Sequence, residues 1–219
     1  MKTFYLCPMA EIKKKTASHL LESKAIVLQP SNPFTWASGW LSPIYCDNRV
    51  TLSFPGVRDY IKEVFQETIV KEFGLPDLIA GVATGAIAQG ALVADLMGLP
   101  MIYVRASAKG HGRQNLIEGR MEPGQRVVVV EDLISTGGSS LKAVEAIREA
   151  GGVVVGMVAI FTYGFPQATE AFKKAGVELH TLSDYHTLIE MALETGYIEK
   201  DQVELLTRWR EEPSAWKGA

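Results

Sequence analysis

From residue 78 onward, apolar residues fall in short unbroken runs, and the stretches between them repeat at helical spacing. Residues 78–83, 101–104, 127–130, 153–161 and 177–182 have the length and continuity of buried strands. Between and after them, 87–97, 141–150, 168–175, 185–194 and 200–210 read as helices. Upstream, Pro55 suits a first helical turn; Val57, Ile61, Val64, Phe65 and Ile69 then recur on one face, and Gly74 stops the helix. The four valines from Val127 to Val130 fit a strand covered on both faces, as parallel sheets require. Strands alternating with helices of this length predict an α/β fold with a mostly parallel central sheet flanked by helices. In such sheets ligands gather beyond the carboxyl ends of the strands, here after Ala83, Val104 and Val130.

The first 54 residues break the pattern. They are polar and turn-rich, carry Pro30, Pro33 and Pro43, and hold one lysine-bearing helix at 11–23. They read as a hood packed on a core of residues 55–219, the two forming one structural unit. A length of 219 residues, 47% of them hydrophobic and 21% charged, suits one folded domain and excludes global disorder. A net charge of -3 and a pI near 5.9 argue against a broad nucleic-acid surface. Two cysteines, Cys7 and Cys46, are too few for a disulfide scaffold and fit a reducing compartment. Residues 78–104 are weakly charged, but Asp95, Gln89, Pro100 and several glycines interrupt them, so no membrane span is expected. With no secretory signal at the start, the expected location is the cytoplasm.

The chemistry concentrates in VVVVEDLISTGGSS, Val127 to Ser140. An apolar strand ends in two adjacent acids, Glu131 and Asp132, and Leu133, Ile134, Ser135, Thr136, Gly137, Gly138 and Ser139 lead into a helix. Paired glycines permit a tight turn, and the helix start offers unpaired amides beside the hydroxyls of Thr136 and Ser139, which suits a phosphate monoester. Acids would repel that phosphate, but they accept hydrogen bonds well from vicinal hydroxyls. Together the parts describe a cradle for ribose 5-phosphate. The P-loop lysine of a nucleoside triphosphatase is missing. A second segment, RASAKGHGRQN, places Arg105, Lys109, His111 and Arg113 on a glycine-containing loop, which suits an intermittent clamp over pyrophosphate.

The acid–glycine segment resembles the phosphoribosyl-pyrophosphate (PRPP) signature of type I phosphoribosyltransferases. With F-T-x-x-S-G-x-x-S-P-x-Y from Phe34 and K-G-H-G from Lys109, the chain resembles the orotate phosphoribosyltransferase family. That resemblance implies a type I phosphoribosyltransferase-like fold with a small N-terminal hood. It also implies transfer of the phosphoribosyl group of PRPP to orotate, giving orotidine 5′-monophosphate and pyrophosphate. By position, Glu131 through Ser139 would hold ribose and 5′-phosphate, and Thr84 and Gly85 would cradle pyrophosphate through backbone amides. Arg105, Lys109 and His111 would bind pyrophosphate, with Lys109, His111 and Asp132 closest to catalysis. Mg2+ would be the cofactor, carried mainly by PRPP and touching at most Asp132. A homodimer would share the mobile loop between subunits, with no nucleic acid or membrane partner.

Departures from the family pattern concern the acceptor. Ala37 and Ala106 stand where many relatives carry lysines, Thr84 and Gly85 offer no lysine, and Thr162, Tyr163 and Gly164 occupy the place of an arginine. Orotate would then be met by Ser135, by backbone amides near Tyr45 and Cys46, or by Arg49. Read from the residues alone, a purine acceptor on the same fold and a PRPP-sensing regulator remain open alternatives.

Overall fold

The computed structural model describes residues 8–35, 39–107 and 116–218. In chain order they form α1 (Met9–Glu22), β1 (Ile26–Leu28), β2 (Phe34–Thr35), β3 (Leu41–Ser42), β4 (Ile44–Cys46) and a 3-10 turn (Asn48–Ser53). There follow α2 (Pro55–Phe73), β5 (Leu78–Val82), α3 (Ile87–Met97), β6 (Met101–Val104), β7 (Ile117–Glu118) and β8 (Arg126–Ile134). The chain closes with α4 (Gly138–Glu149), β9 (Val153–Thr162), α5 (Pro166–Ala175), β10 (Leu179–Asp184), α6 (Tyr185–Glu194) and α7 (Lys200–Glu211). One six-stranded sheet runs in the order β10-β9-β8-β5-β6-β7. Its pairs are parallel except β6 with β7, which is antiparallel. The predicted α/β architecture is present.

Alternate side chains of each central strand enter opposite cores. Ile79, Val128, Val130, Val158 and Ile160 join residues of α1, α2, α3, α6 and α7. Leu78, Ala80, Val127, Val129, Met157 and Ala159 instead pack on α4 and α5. A strand covered on both faces has no polar side to present, which is why its sequence reads as an unbroken apolar run. Among the described residues no helix is long and apolar enough to cross a membrane.

The structure corrects one boundary that bears on function. The strand predicted to stop at Val130 continues to Ile134, pairing Glu131 with Ala159, Leu133 with Phe161 and Ile134 with Thr162. Its acids therefore sit on a hydrogen-bonded strand, not on a free turn. Local sequence could not show this, because a ladder partner more than 25 positions away lengthens the strand. Edge strand β7 was likewise invisible: two residues carry no periodicity.

The N-terminal segment contributes Ile12, Leu20, Leu21, Ile26 and Ile44 to the same core as α2 and the sheet. Lys13 Nζ lies 2.7 Å from Asp184 Oδ2 at the end of β10, and Asp184 also caps α6 by accepting from the Thr187 N–H at 3.0 Å. At the other end of the chain, fully buried Trp209 packs among the rings of Tyr163, Phe165 and Tyr185 and donates to the Leu41 carbonyl at 3.2 Å. Thus α7 ties the turn after β9 to the N-terminal ribbon.

Gly156 on β9 admits the last turn of α2: a Cβ there would run into the Phe73 ring. Gly156→Ala should lower stability by about 1–3 kcal/mol, the usual range for overpacking, and should lower Tm by several degrees. Adding Phe73→Leu should recover most of that loss. A calorimetric Tm unchanged in the single variant would show that the ring gives way freely.

Candidate active site

The carboxyl ends of β5 and β8 open onto a cavity of about 410 Å3. Its walls include Thr84 and Gly85 from the turn after β5, Glu131, Asp132 and Leu133 from β8, and Ser135, Thr136, Gly137 and Ser139 from the turn into α4. Cys46, Asp47 and Arg49 close it from the N-terminal segment. Sequence positions far apart thus meet where the parallel sheet ends.

Gly137 supplies the turn. It takes φ +82°, and a Cβ there would approach the Phe172 ring to 2.8 Å, so both conformation and space require glycine. The turn delivers the chain into α4, whose first-turn amides lack intrahelical acceptors and carry the positive end of the helix dipole. Across the cavity the Ala83–Thr84 peptide is cis. Gly85 lies so close to Asp132 that a Cβ there would overlap its carboxylate.

The two acids differ in environment. Glu131 is almost fully buried: its Oε2 accepts from Ser140 Oγ at 2.7 Å and its Oε1 from the Asp132 N–H at 3.0 Å. Burial, followed by the neighbouring Asp132 charge, pushes the Glu131 carboxyl up to about 8. Asp132 faces the cavity and makes no ion pair among the described residues. Its backbone carbonyl accepts from Asn48 Nδ2 at 2.6 Å. Behind Asn48, Thr51 Oγ1 donates to the Asn48 carbonyl at 2.6 Å and Gln89 Nε2 reaches Thr51 Oγ1 at 3.4 Å, so a buried polar chain links β8 to α3. Ser140 and Asn48 escaped the sequence reading: one is a plain helix serine, the other lies 84 residues from its partner. The acid pair itself was the available signal for Ser140, because a buried Glu131 needs a donor, and the first turn of α4 supplies it.

Other expected site residues take varied places. The Ile134 side chain is fully buried in the core away from the cavity. Tyr45 is exposed and packs its ring against Phe34 at 5.5 Å, outside the cavity wall. Arg49 forks onto Asp47, with Nε at 2.7 Å and Nη2 at 2.8 Å from its oxygens, so its charge is already compensated. Burial, then the charges of Asp132 and Asp47, push the Cys46 thiol well up, keeping it a neutral wall group. Arg105 and Gly138 line an adjoining cavity of about 260 Å3, together with Lys142. The two cavities share Val82, Ala83 and Ser139. Lys109, His111 and Arg113 lie outside the described residues.

Residues 51–185 match the phosphoribosyl transferase domain family. Orotate phosphoribosyltransferase of Porphyromonas gingivalis is 61% identical over 208 residues, covering 95% of this chain and 99% of that protein. The crystal structure of orotate phosphoribosyltransferase from Aeropyrum pernix superposes with a TM-score of 0.73 at 29% identity, over 84% of this chain and 99% of that one. The Mycobacterium tuberculosis enzyme in complex with PRPP gives a TM-score of 0.63 at 25% identity, over 83% and 99% of the two chains. With a β8 acid pair, glycine turn and small loop meeting in one cavity, and with relatives this similar along nearly the whole length, the chain belongs to the orotate phosphoribosyltransferase family, which transfers the phosphoribosyl group of PRPP to orotate in pyrimidine biosynthesis.

Proposed function

We propose that this chain performs that transfer as a Mg2+-dependent homodimer in the cytoplasm, with residues 1–54 forming a hood over a 55–219 core. The convergence of the acid pair, the Gly137 turn and the Thr84–Gly85 turn on one cavity carries the assignment of PRPP to this place. The 5′-phosphate lies at the Thr136–Ser139 turn, where amides and hydroxyls meet the start of α4. The ribose hydroxyls donate to Asp132, and Glu131 braces the pair from behind. Pyrophosphate extends towards Thr84 and Gly85 and on to the adjoining cavity of Arg105.

Asp132 is a hard oxygen ligand open to the cavity, so it suits a Mg2+ ion that takes its remaining oxygens from substrate and water. Glu131, engaged by Ser140 and held towards its protonated form, suits that role less. When bound, Mg2+ supplies Lewis-acid polarisation of the departing diphosphate. The anomeric C–O bond breaks with its electron pair leaving on pyrophosphate; positive charge builds on the ring until the pyrimidine nitrogen closes the new C–N bond and its N–H proton passes to an oxygen of the departing pyrophosphate. Asp132, facing the ring from the cavity wall, stabilises that charge. Arg105, Lys109 and His111 form charge-assisted hydrogen bonds that strengthen on the leaving group. Closure of their loop over the site excludes water that would otherwise hydrolyse PRPP.

Lys109→Ala should lower kcat roughly 10²-fold, the size of losing one transition-state donor. Asp132→Asn should weaken calorimetric Mg-PRPP binding by roughly tenfold with little change in Tm. Mixing the two variants should restore part of the activity if the loop crosses to its partner's site; no recovery means that each loop serves its own subunit.

The raised Glu131 carboxyl predicts a stability signature. Because the fold favours the protonated form, its contribution is complete below the ordinary carboxyl pKa near 4.5 and is lost as pH climbs through about 8. Glu131→Gln is neutral throughout. Its Tm should match the parent near pH 4, exceed it progressively between about pH 5 and pH 8 as the unfolded chain ionises, and keep a constant margin above that. Parallel Tm curves across that range would show that Glu131 ionises normally.

A further inference from the structure

We propose that Arg210, near the end of α7, receives the carboxylate of orotate. This rests on the phosphoribosyl-transfer reading and adds the group that recognises the acceptor. Orotate is a planar ring distinguished by one anionic carboxylate, and a site that selects it must offer that anion a donor whose charge is not already spent. In the main cavity Arg49 is occupied by Asp47.

A further cavity, also of about 410 Å3, meets the first at Thr136, and Trp40, Phe165, Arg210, Glu211 and Glu212 are among its walls. It therefore begins beside the turn assigned to the sugar phosphate. Arg210 Nε donates to the Tyr163 carbonyl at 3.0 Å and Nη2 to the Gly164 carbonyl at 2.6 Å. Those two bonds fix the guanidinium plane at the turn after β9. That turn adjoins the end of β8, since the Tyr163 N–H donates to the Ile134 carbonyl at 3.2 Å. Arg210 makes no ion pair with a carboxylate among the described residues. Among the described residues both Nη1 protons and the second Nη2 proton remain available, an end-on fork that matches two carboxylate oxygens. Trp40 and Phe165 offer apolar surface for a planar ring, and Glu211 and Glu212 offer acceptors for its imide N–H. Arginine is suited to this work because it stays charged while its plane is held by backbone carbonyls.

The test compares calorimetric affinities for orotidine 5′-monophosphate and uridine 5′-monophosphate, which differ only by the carboxylate, with Mg-PRPP as a third ligand. In Arg210→Gln, affinity for the carboxylated nucleotide should fall roughly 10- to 100-fold while the other two ligands bind as before. Arg210→Lys should keep part of the discrimination. Steady-state losses should appear with orotate as the varied substrate and not with PRPP. An unchanged ratio between the two nucleotides overturns the proposal. Equal losses for all three ligands also overturn it, leaving Arg210 as a clamp on the β9 turn. If Arg210→Gln does not fold, the ratio in Arg210→Lys decides on the same terms. Failure of the unmodified protein to bind Mg-PRPP would instead sink the sugar-cradle reading and is seen separately.

Discussion

Burial of β8 from both sides is the constraint on which the site depends. Val127 to Val130 are fully buried, with alternate side chains in two different cores, so a slip of one residue would exchange every contact. That locked register carries Glu131 and Asp132 to one fixed position at the sheet end. Because the ladder with β9 continues through Ile134, the acids are held by backbone hydrogen bonds as well as by side-chain packing. A carboxylate that orients a sugar needs such rigidity, since misplacement by about 1 Å erodes the benefit of positioning.

From that fixed strand the two adjacent acids diverge. Glu131 turns inward to Ser140 and its own chain, where burial favours the neutral form. Asp132 turns outward to the cavity, its carbonyl secured by Asn48 and its carboxylate against Gly85. Alternation along a strand is enough to produce this: neighbours point to opposite sides, so one acid is engaged within the protein and the other faces the cavity. The Asn48–Thr51–Gln89 chain then joins the N-terminal segment, β8 and the helix after the 83–85 turn. Displacement of one of these three elements is felt by the other two.

The two ends of the chain meet through aromatic packing. Trp209 lies among Tyr163, Phe165 and Tyr185 and bonds to Leu41, placing α7 against both the N-terminal ribbon and the β9 turn. A cation from the last long helix thereby arrives beside a cavity built from the middle of the sequence. Where the chain lacks a basic residue on the turn after β9, the fold brings one to that turn's carbonyls.

Sequence alone determined the alternation of strands and helices, the doubly buried valine strand and the run of acids, glycines and hydroxyls that lines the cavity at its end. These were legible because each is local: periodicity, turn chemistry and helix starts depend on residues within a turn or two of one another. Tertiary structure decided the rest. It extended β8 past its acids, buried Ile134, left Tyr45 outside the cavity, and set Asn48 and Arg210 at positions no spacing rule anticipates. The physical reason is that burial and hydrogen-bond partnership are properties of neighbours in space, and here those neighbours lie from 28 residues apart, as for Ile134 and Thr162, to 84 apart, as for Asn48 and Asp132.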